Sequence, residues 1–182
     1  MAPADQLTAA RALSVPVVVV LYTWHFHGHA YWATAVFCLA MTTDFFDGRL
    51  ARRHGRTSPL GSLLDPIADK VLVLATMVML VGLGVVPAWM IAAIVVRELL
   101  IGGLRQAAIE RGIVIAARDL GKLKTWAQAI AAALGGFAAA GAWPHRVAWW
   151  AMLVAVALTC ISGLDYARAA PSLFRRRSAG AV

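Results

Sequence analysis

Asp44, Asp47, Asp65 and Asp69 are four of the nine acidic residues in this chain. They stand at the ends of two apolar segments long enough to enter a bilayer. A carboxylate in or near hydrocarbon is costly, so its presence marks a functional site. Four of them around one bend between helices repel one another strongly unless cations sit among them. A ligand set made only of carboxylate oxygens suits Mg²⁺, Ca²⁺ or Mn²⁺ rather than zinc or copper. The chemistry on offer is that of a divalent-metal site at a membrane surface.

The spacing agrees. With the segment through Ala51 helical, Asp44 and Asp47 are three apart, and Gly48 and Ala51 fall on the same face. Two acids then lie beside two residues with almost no side chain, which lets a neighbouring backbone or a bulky ligand come close. Asp65 and Asp69 are four apart and share a face of the following helix. Gly55, Pro59 and Gly61 punctuate the connection between the pairs. One acidic pair at a helix end is ordinarily a solvated or capping pair. Two pairs in apolar helices, accompanied by Gly48, Ala51, Arg52 and Gly61, are not explained that way.

These residues carry a resemblance. Asp44-x-x-Asp47-Gly48-x-x-Ala51-Arg52, eight further residues, then Gly61-x-x-x-Asp65-x-x-x-Asp69 resembles the signature of the CDP-alcohol phosphatidyltransferases at all eight fixed positions. The resemblance implies an enzyme dependent on Mg²⁺ or Mn²⁺, with two ions held by Asp44, Asp47, Asp65 and Asp69. It would move a phosphatidyl group from a CDP-linked lipid to an alcohol by direct displacement, releasing CMP. By the same resemblance Asp69 is the general base for the incoming hydroxyl, Arg52 contacts phosphate, and Gly48, Ala51 and Gly61 give the nucleotide room. The segment QLTAARALSVP resembles the family's first helix start, with Asp5 and Gln6 where an Asn commonly precedes the Leu-Thr pair. It puts Thr8 and Arg11 on the nucleotide side of the site.

A phosphorylated acceptor needs a cationic pocket of its own, because Arg and Lys are the usual phosphate binders. Arg97–Gln106 and Ile113–Thr125 supply the cations, with Arg105, Arg118, Lys122 and Lys124 the candidates for the acceptor phosphate. These stretches, with Gly-Lys-x-Lys-Thr at Gly121–Thr125 and SGLDY at Ser162–Tyr166, resemble phosphatidylglycerophosphate synthases. The acceptor this implies is sn-glycerol 3-phosphate, and the lipid donor CDP-diacylglycerol. Inositol phosphate, or phosphatidylglycerol leading to cardiolipin, are the rival acceptors; serine fits the cations less well. Arg97 and Glu98, in the middle of apolar sequence, face a bundle interior or a wet cavity. They also read as a structural ion pair.

Composition sets the elements that position these groups. At 61% hydrophobic and 14% charged residues, with positive mean hydropathy, 182 residues offer too little polar surface for an ordinary soluble domain. The pattern predicts an all-α integral membrane protein, one domain over residues 1–182, with six transmembrane helices. Their approximate ranges are 12–24, 30–53, 60–81, 88–111, 126–142 and 147–167, with a start as early as Leu7 for the first. Residues 111–125 read as a polar connection, and Gly135 and Gly136 as close-packing points. No cleavage-like site follows the first apolar run, which argues against a signal peptide. Cys38 and Cys160 lie in apolar runs and read as core residues.

The net charge of +8 is spread between hydrophobic spans, which argues against nucleic acid as a partner and for anionic lipid and phosphate-bearing substrates. Cations crowd the loops after spans two and four and the C-terminal tail, so both termini and the acidic site are expected at the cytoplasmic face of the cytoplasmic membrane. His25, His27 and His29, framed by Trp24, Tyr31 and Trp32, read as an interfacial aromatic belt rather than a zinc site. A homodimer is implied by the family alone. The rival from another class is a divalent-cation transporter. It would string acids across the bilayer instead of clustering them at one end, and has no use for Gly48, Ala51 and Arg52.

Overall fold

The computed structural model describes the backbone of residues 3–24, 26–54, 59–110 and 119–178, and the side-chain surroundings of residues 10–24, 26–43, 70–110 and 121–165. Among the described residues there are six helices and no strand: α1 (Pro3–Thr23), α2 (His29–His54), α3 (Pro59–Gly82), α4 (Ala88–Glu110), α5 (Asp119–Ala139) and α6 (His145–Ser178).

The connections after α3 and α5 are tight, and the reason is local. Gly84 and Gly141 adopt φ of 69° and 81°, which a residue with a Cβ rarely accepts. At the first, the Val85 N–H donates to Leu80 O and the Gly84 N–H to Val81 O, both at 3.0 Å. At the second, Ala142 and Gly141 repeat the pattern onto Phe137 and Ala138. This is the Schellman closure, which satisfies the last carbonyls of a helix.

Helix α5 packs on α6, α2 and α3; α1 packs on α2 and α3; α4 packs on α6 and α3. The core is filled by Tyr22, Phe37, Leu72, Met77, Leu80, Met90, Ile94 and Met152. Gly135 and Gly136 are the close-packing points that the sequence leads one to expect. A Cβ on Gly136 would run into Thr34 and lie 2.6 Å from the Tyr22 hydroxyl, and one on Gly135 would run into Leu80. The Tyr22 and Thr34 hydroxyls are themselves hydrogen bonded at 3.0 Å. Thr34 also donates to Ala30 O at 2.6 Å, so the pair under Gly136 is fixed.

Large apolar side chains are exposed on every helix, and a few polar ones are buried within the apolar core. Leu13, Leu39, Val78, Leu99, Ile130 and Leu164 point outward, one from each helix, while Glu98, Lys124, Gln128, Thr159 and Ser162 are buried. A hydrocarbon surrounding selects that arrangement. Among the described residues, His145–Asp165 is by itself long and apolar enough to cross a membrane, and Ala10–Thr23 and Lys70–Gly82 are shorter apolar stretches.

Three expectations need correcting. The polar connection read over 111–125 is already helix from Asp119, because Lys122 and Lys124 carry no helix break and Lys124 is drawn inward by a buried partner. Cys160 is exposed on α6 rather than packed in the core; Cys38 is partly buried, and both are free thiols. In a bundle with an apolar exterior, an apolar run does not tell an inward face from an outward one. Helix α6 also continues past 167 to Ser178.

Candidate active site

Helix α2 carries Asp44, Asp47, Gly48, Ala51 and Arg52, and α3 carries Gly61, Asp65 and Asp69, in continuous helical backbone. The side chains of these eight residues, of Thr8 on α1, and the whole of Arg118 lie outside the described residues. Helices α2 and α3 are in contact. On α3 the described side chains begin with Lys70, one position after Asp69, and from there the site can be built residue by residue.

Glu98, only 7% exposed, sits inside the bundle on α4. Its Oε1 accepts from Lys124 Nζ on α5 and from Arg97 Nη1 at 3.1 Å. Its Oε2 faces Lys70 Nζ on α3 at 3.5 Å. Gln128, one turn beyond Lys124, directs Nε2 toward Glu98 Oε1 at 3.5 Å and donates to Thr159 Oγ1 on α6 at 2.9 Å. Arg97 Nη2 donates to Ser162 Oγ at 2.9 Å. One carboxylate therefore gathers groups from α3, α4 and α5, and the network continues into α6. A buried charge is tolerable only when so partnered.

Two cavities meet at this cluster. One, of about 370 Å³, is lined by Lys70, Arg97, Arg105, Lys122 and Lys124 together with Glu98, Ser162 and Asp165. Among the described residues that line it, five cations stand against two carboxylates. The other, of about 490 Å³, is walled mainly by apolar side chains, among them Phe37, Met41, Val73, Leu74 and Ile130. Lys70, Glu98, Thr125 and Trp126 border both.

Three of the four cations singled out in the sequence, Arg105, Lys122 and Lys124, thus line one cavity although they come from two helices. Arg97 and Glu98 are both an ion pair and part of a cavity wall. Ser162 and Gly163 of SGLDY also have evident roles: a Cβ at Gly163 would sit 3.1 Å from Arg97 Cγ, so glycine there admits the arginine. Lys70 and Gln128 were not singled out. The available signal for Lys70 was its place directly after the last signature acid. For Gln128 it was a single amide four residues after Lys124 in otherwise apolar helix. Among the described residues no three His, Cys, Asp or Glu side chains gather as metal ligands. The histidines of residues 25–29 form no such group among those described; His25 lies outside them.

A cation-rich cavity bordered by Lys70 of the aspartate-bearing helix α3, in a bundle apolar on its outside, is a site whose chemistry suits phosphate groups. The model of the CDP-alcohol phosphatidyltransferase family matches residues 1–161, and the chain belongs to that family. The family is membrane-integral and generally dependent on divalent metal. The chain is 39% identical over 166 residues to a probable phosphatidylglycerophosphate synthase of Mycobacterium tuberculosis, covering 90% of this chain and 78% of the relative. It is 38% identical over 139 residues to the CDP-diacylglycerol–glycerol-3-phosphate 3-phosphatidyltransferase of Bacillus subtilis, covering 70% and 72%. To the Shigella flexneri protein of the same description it is 35% identical over 170 residues, covering 90% and 92%.

Proposed function

We propose that this chain transfers a phosphatidyl group from CDP-diacylglycerol to sn-glycerol 3-phosphate, giving phosphatidylglycerol phosphate and CMP. The observation that carries this reading is the cavity in which Arg105, Lys122 and Lys124 meet Lys70 and Arg97. Its surplus of positive charge suits an acceptor that bears a phosphate, and the printed descriptions of the relatives support the same substrates.

Asp44, Asp47, Asp65 and Asp69 would hold Mg²⁺ or Mn²⁺, as two ions. They fit: every donor is a carboxylate oxygen, and the acids recur at three- and four-residue spacing on two helices in contact. When bound, the ions neutralise the pyrophosphate and stabilise the departing CMP. Asp69 accepts the proton of the acceptor hydroxyl. The hydroxyl oxygen forms the new bond to the lipid phosphorus as the bond to CMP breaks, and the electron pair leaves with CMP. Arg52 contacts phosphate, while Gly48, Ala51 and Gly61, with Thr8 on α1, shape the nucleotide space. Arg118 joins Arg105, Lys122 and Lys124 around the acceptor phosphate. The apolar cavity next to Lys70 suits the hydrocarbon part of the lipid donor.

The chain acts as one domain over residues 1–182 in the cytoplasmic membrane, with six spans, both termini and the site facing the cytoplasm. The uneven distribution of cations among the loops supports that orientation. Two copies associate as a homodimer.

The test is a detergent-micelle assay with CDP-diacylglycerol and Mg²⁺, following CMP release in parallel with glycerol 3-phosphate, inositol phosphate, serine and phosphatidylglycerol. Release with glycerol 3-phosphate alone is expected. Release with another acceptor alone overturns the substrate assignment, and folded protein that releases no CMP overturns the enzyme mechanism.

A further inference from the structure

Among the described residues, Glu98 is the one carboxylate that lines both cavities. Its two oxygens are used differently. Oε1 takes Lys124, Arg97 and, at 3.5 Å, Gln128, all on the side of the charged network; Oε2 faces Lys70 at 3.5 Å. Without a carboxylate at this point, Lys70, Arg97 and Lys124 would lose the counter-charge they share, and Arg97 would keep its bond to Ser162. Like charges that close repel strongly when water is scarce. The Lys70 side chain is 50% exposed, in contrast to Glu98. An ammonium has three N–H donors, and the contact with Glu98 is an ion pair that leaves them able to meet a phosphate.

We infer that Glu98 is the positioning residue of the acceptor pocket: it spaces Lys70, Arg97 and Lys124 so that together they receive a phosphate monoester. It also fixes the Lys70 ammonium at the junction of the two cavities, one residue from Asp69. The inference rests on the phosphorylated-acceptor reading and adds to it which residue organises the cations. Glu98 itself touches no reacting atom. It acts through the three cations, and through Lys70 it ties the acceptor's phosphate end to the helix that carries the proposed base. A carboxylate merely filling a buried space would serve both substrates equally; one that arranges cations for a phosphate serves the acceptor alone.

The experiment is steady-state kinetics of Glu98→Gln, Glu98→Asp, Lys70→Met and the double variant Lys70→Met/Glu98→Gln in micelles, varying each substrate separately. Glu98→Gln keeps the shape and removes the charge; it is expected to raise KM for glycerol 3-phosphate about tenfold or more, the scale of a lost charge-assisted contact. KM for CDP-diacylglycerol is expected to stay within about twofold, and Glu98→Asp to recover part of the loss. Lys70→Met is expected to raise the acceptor KM alone, and the double variant to fall short of the product of the single effects.

An unchanged acceptor KM in folded Glu98→Gln, or equal rises for both substrates, overturns the inference. Should Glu98→Gln not fold, Lys70→Met decides, since a half-exposed side chain is not needed for the core; an unchanged acceptor KM there overturns it too. The proposed reaction is read separately, from the wild-type enzyme. If wild type uses a different phosphorylated acceptor, the substrate assignment fails while the same KM split for that acceptor supports Glu98. If wild type uses only an unphosphorylated acceptor, both fail.

Discussion

Arg97 Nη2 donates to Ser162 Oγ at 2.9 Å, joining α4 to α6 across 65 positions of chain. On its other side Arg97 Nη1 meets Glu98 at 3.1 Å. The guanidinium is held between a neutral hydroxyl and a carboxylate, with Gly163 leaving room for its stem. An arginine fixed at both ends keeps its planar fork at one orientation along the cavity wall, which a freely rotating lysine would not do. Two signals seen separately in the sequence, the Arg97–Glu98 pair and SGLDY, turn out to be parts of one wall.

Removing the proposed base isolates its role. Asp69→Asn is expected to lower CMP release by about a hundredfold to ten-thousandfold, the usual worth of general-base catalysis, while CDP-lipid binding in the presence of Mg²⁺ persists. Single-turnover kinetics alongside equilibrium binding of a CDP-lipid makes the comparison. Near-wild-type turnover would remove Asp69 from the base role.

The charged cavity predicts a split between the two substrates. Arg105→Ala and Lys122→Ala are each expected to raise KM for glycerol 3-phosphate several-fold or more and to leave KM for CDP-diacylglycerol nearly unchanged, since loss of a phosphate contact costs about 1–3 kcal/mol. Equal effects on both substrates would assign these cations to lipid contacts or to topology instead.

Chelation tests the aspartates as a donor set. Exhaustive treatment with a chelator is expected to abolish CMP release, and Mg²⁺ or Mn²⁺ to restore it, because carboxylates prefer hard cations. Turnover that survives complete metal removal would contradict a metal site at Asp44, Asp47, Asp65 and Asp69.

Packing far from the chemistry can be probed at Gly136. Alanine there gains up to about 1 kcal/mol of helix propensity, yet its Cβ meets Thr34 and Tyr22, whose hydroxyls are already committed to each other. Overpacking costs about 1–3 kcal/mol, so the clash wins and the melting temperature in detergent falls. A melting temperature that rises would mean that the α1–α2–α5 contact is looser than described.

How much of this could be read from the chain itself follows from what each residue's neighbours are. The helices were legible, because long apolar runs ending at Gly82–Pro87 and Ala140–Pro144 admit few alternatives. The acidic signature was legible because its spacing is local to two helices. The hub at Glu98 was only half legible: its pairing with Arg97 is adjacent in sequence, but Lys70, Lys124 and Gln128 lie 26 to 30 residues away, and only packing brings them together. The start of α5 was missed for a related reason. Lys122 and Lys124 look like a solvated loop until the buried acid that Lys124 reaches is known.

Helix α5 ties two distant features into one measure of length. Lys124 reaches Glu98 near one end, and Gly136, twelve residues on, seats Thr34 and Tyr22 near the other. At 1.5 Å per residue the two are about 18 Å apart, a fixed rod between ion pair and wedge. One residue inserted between them would rotate the two ends by about 100° relative to each other, so that either the lysine or the glycine loses its seat. Homologous chains can therefore change the exposed residues along this interval, such as Ile130, but not its length.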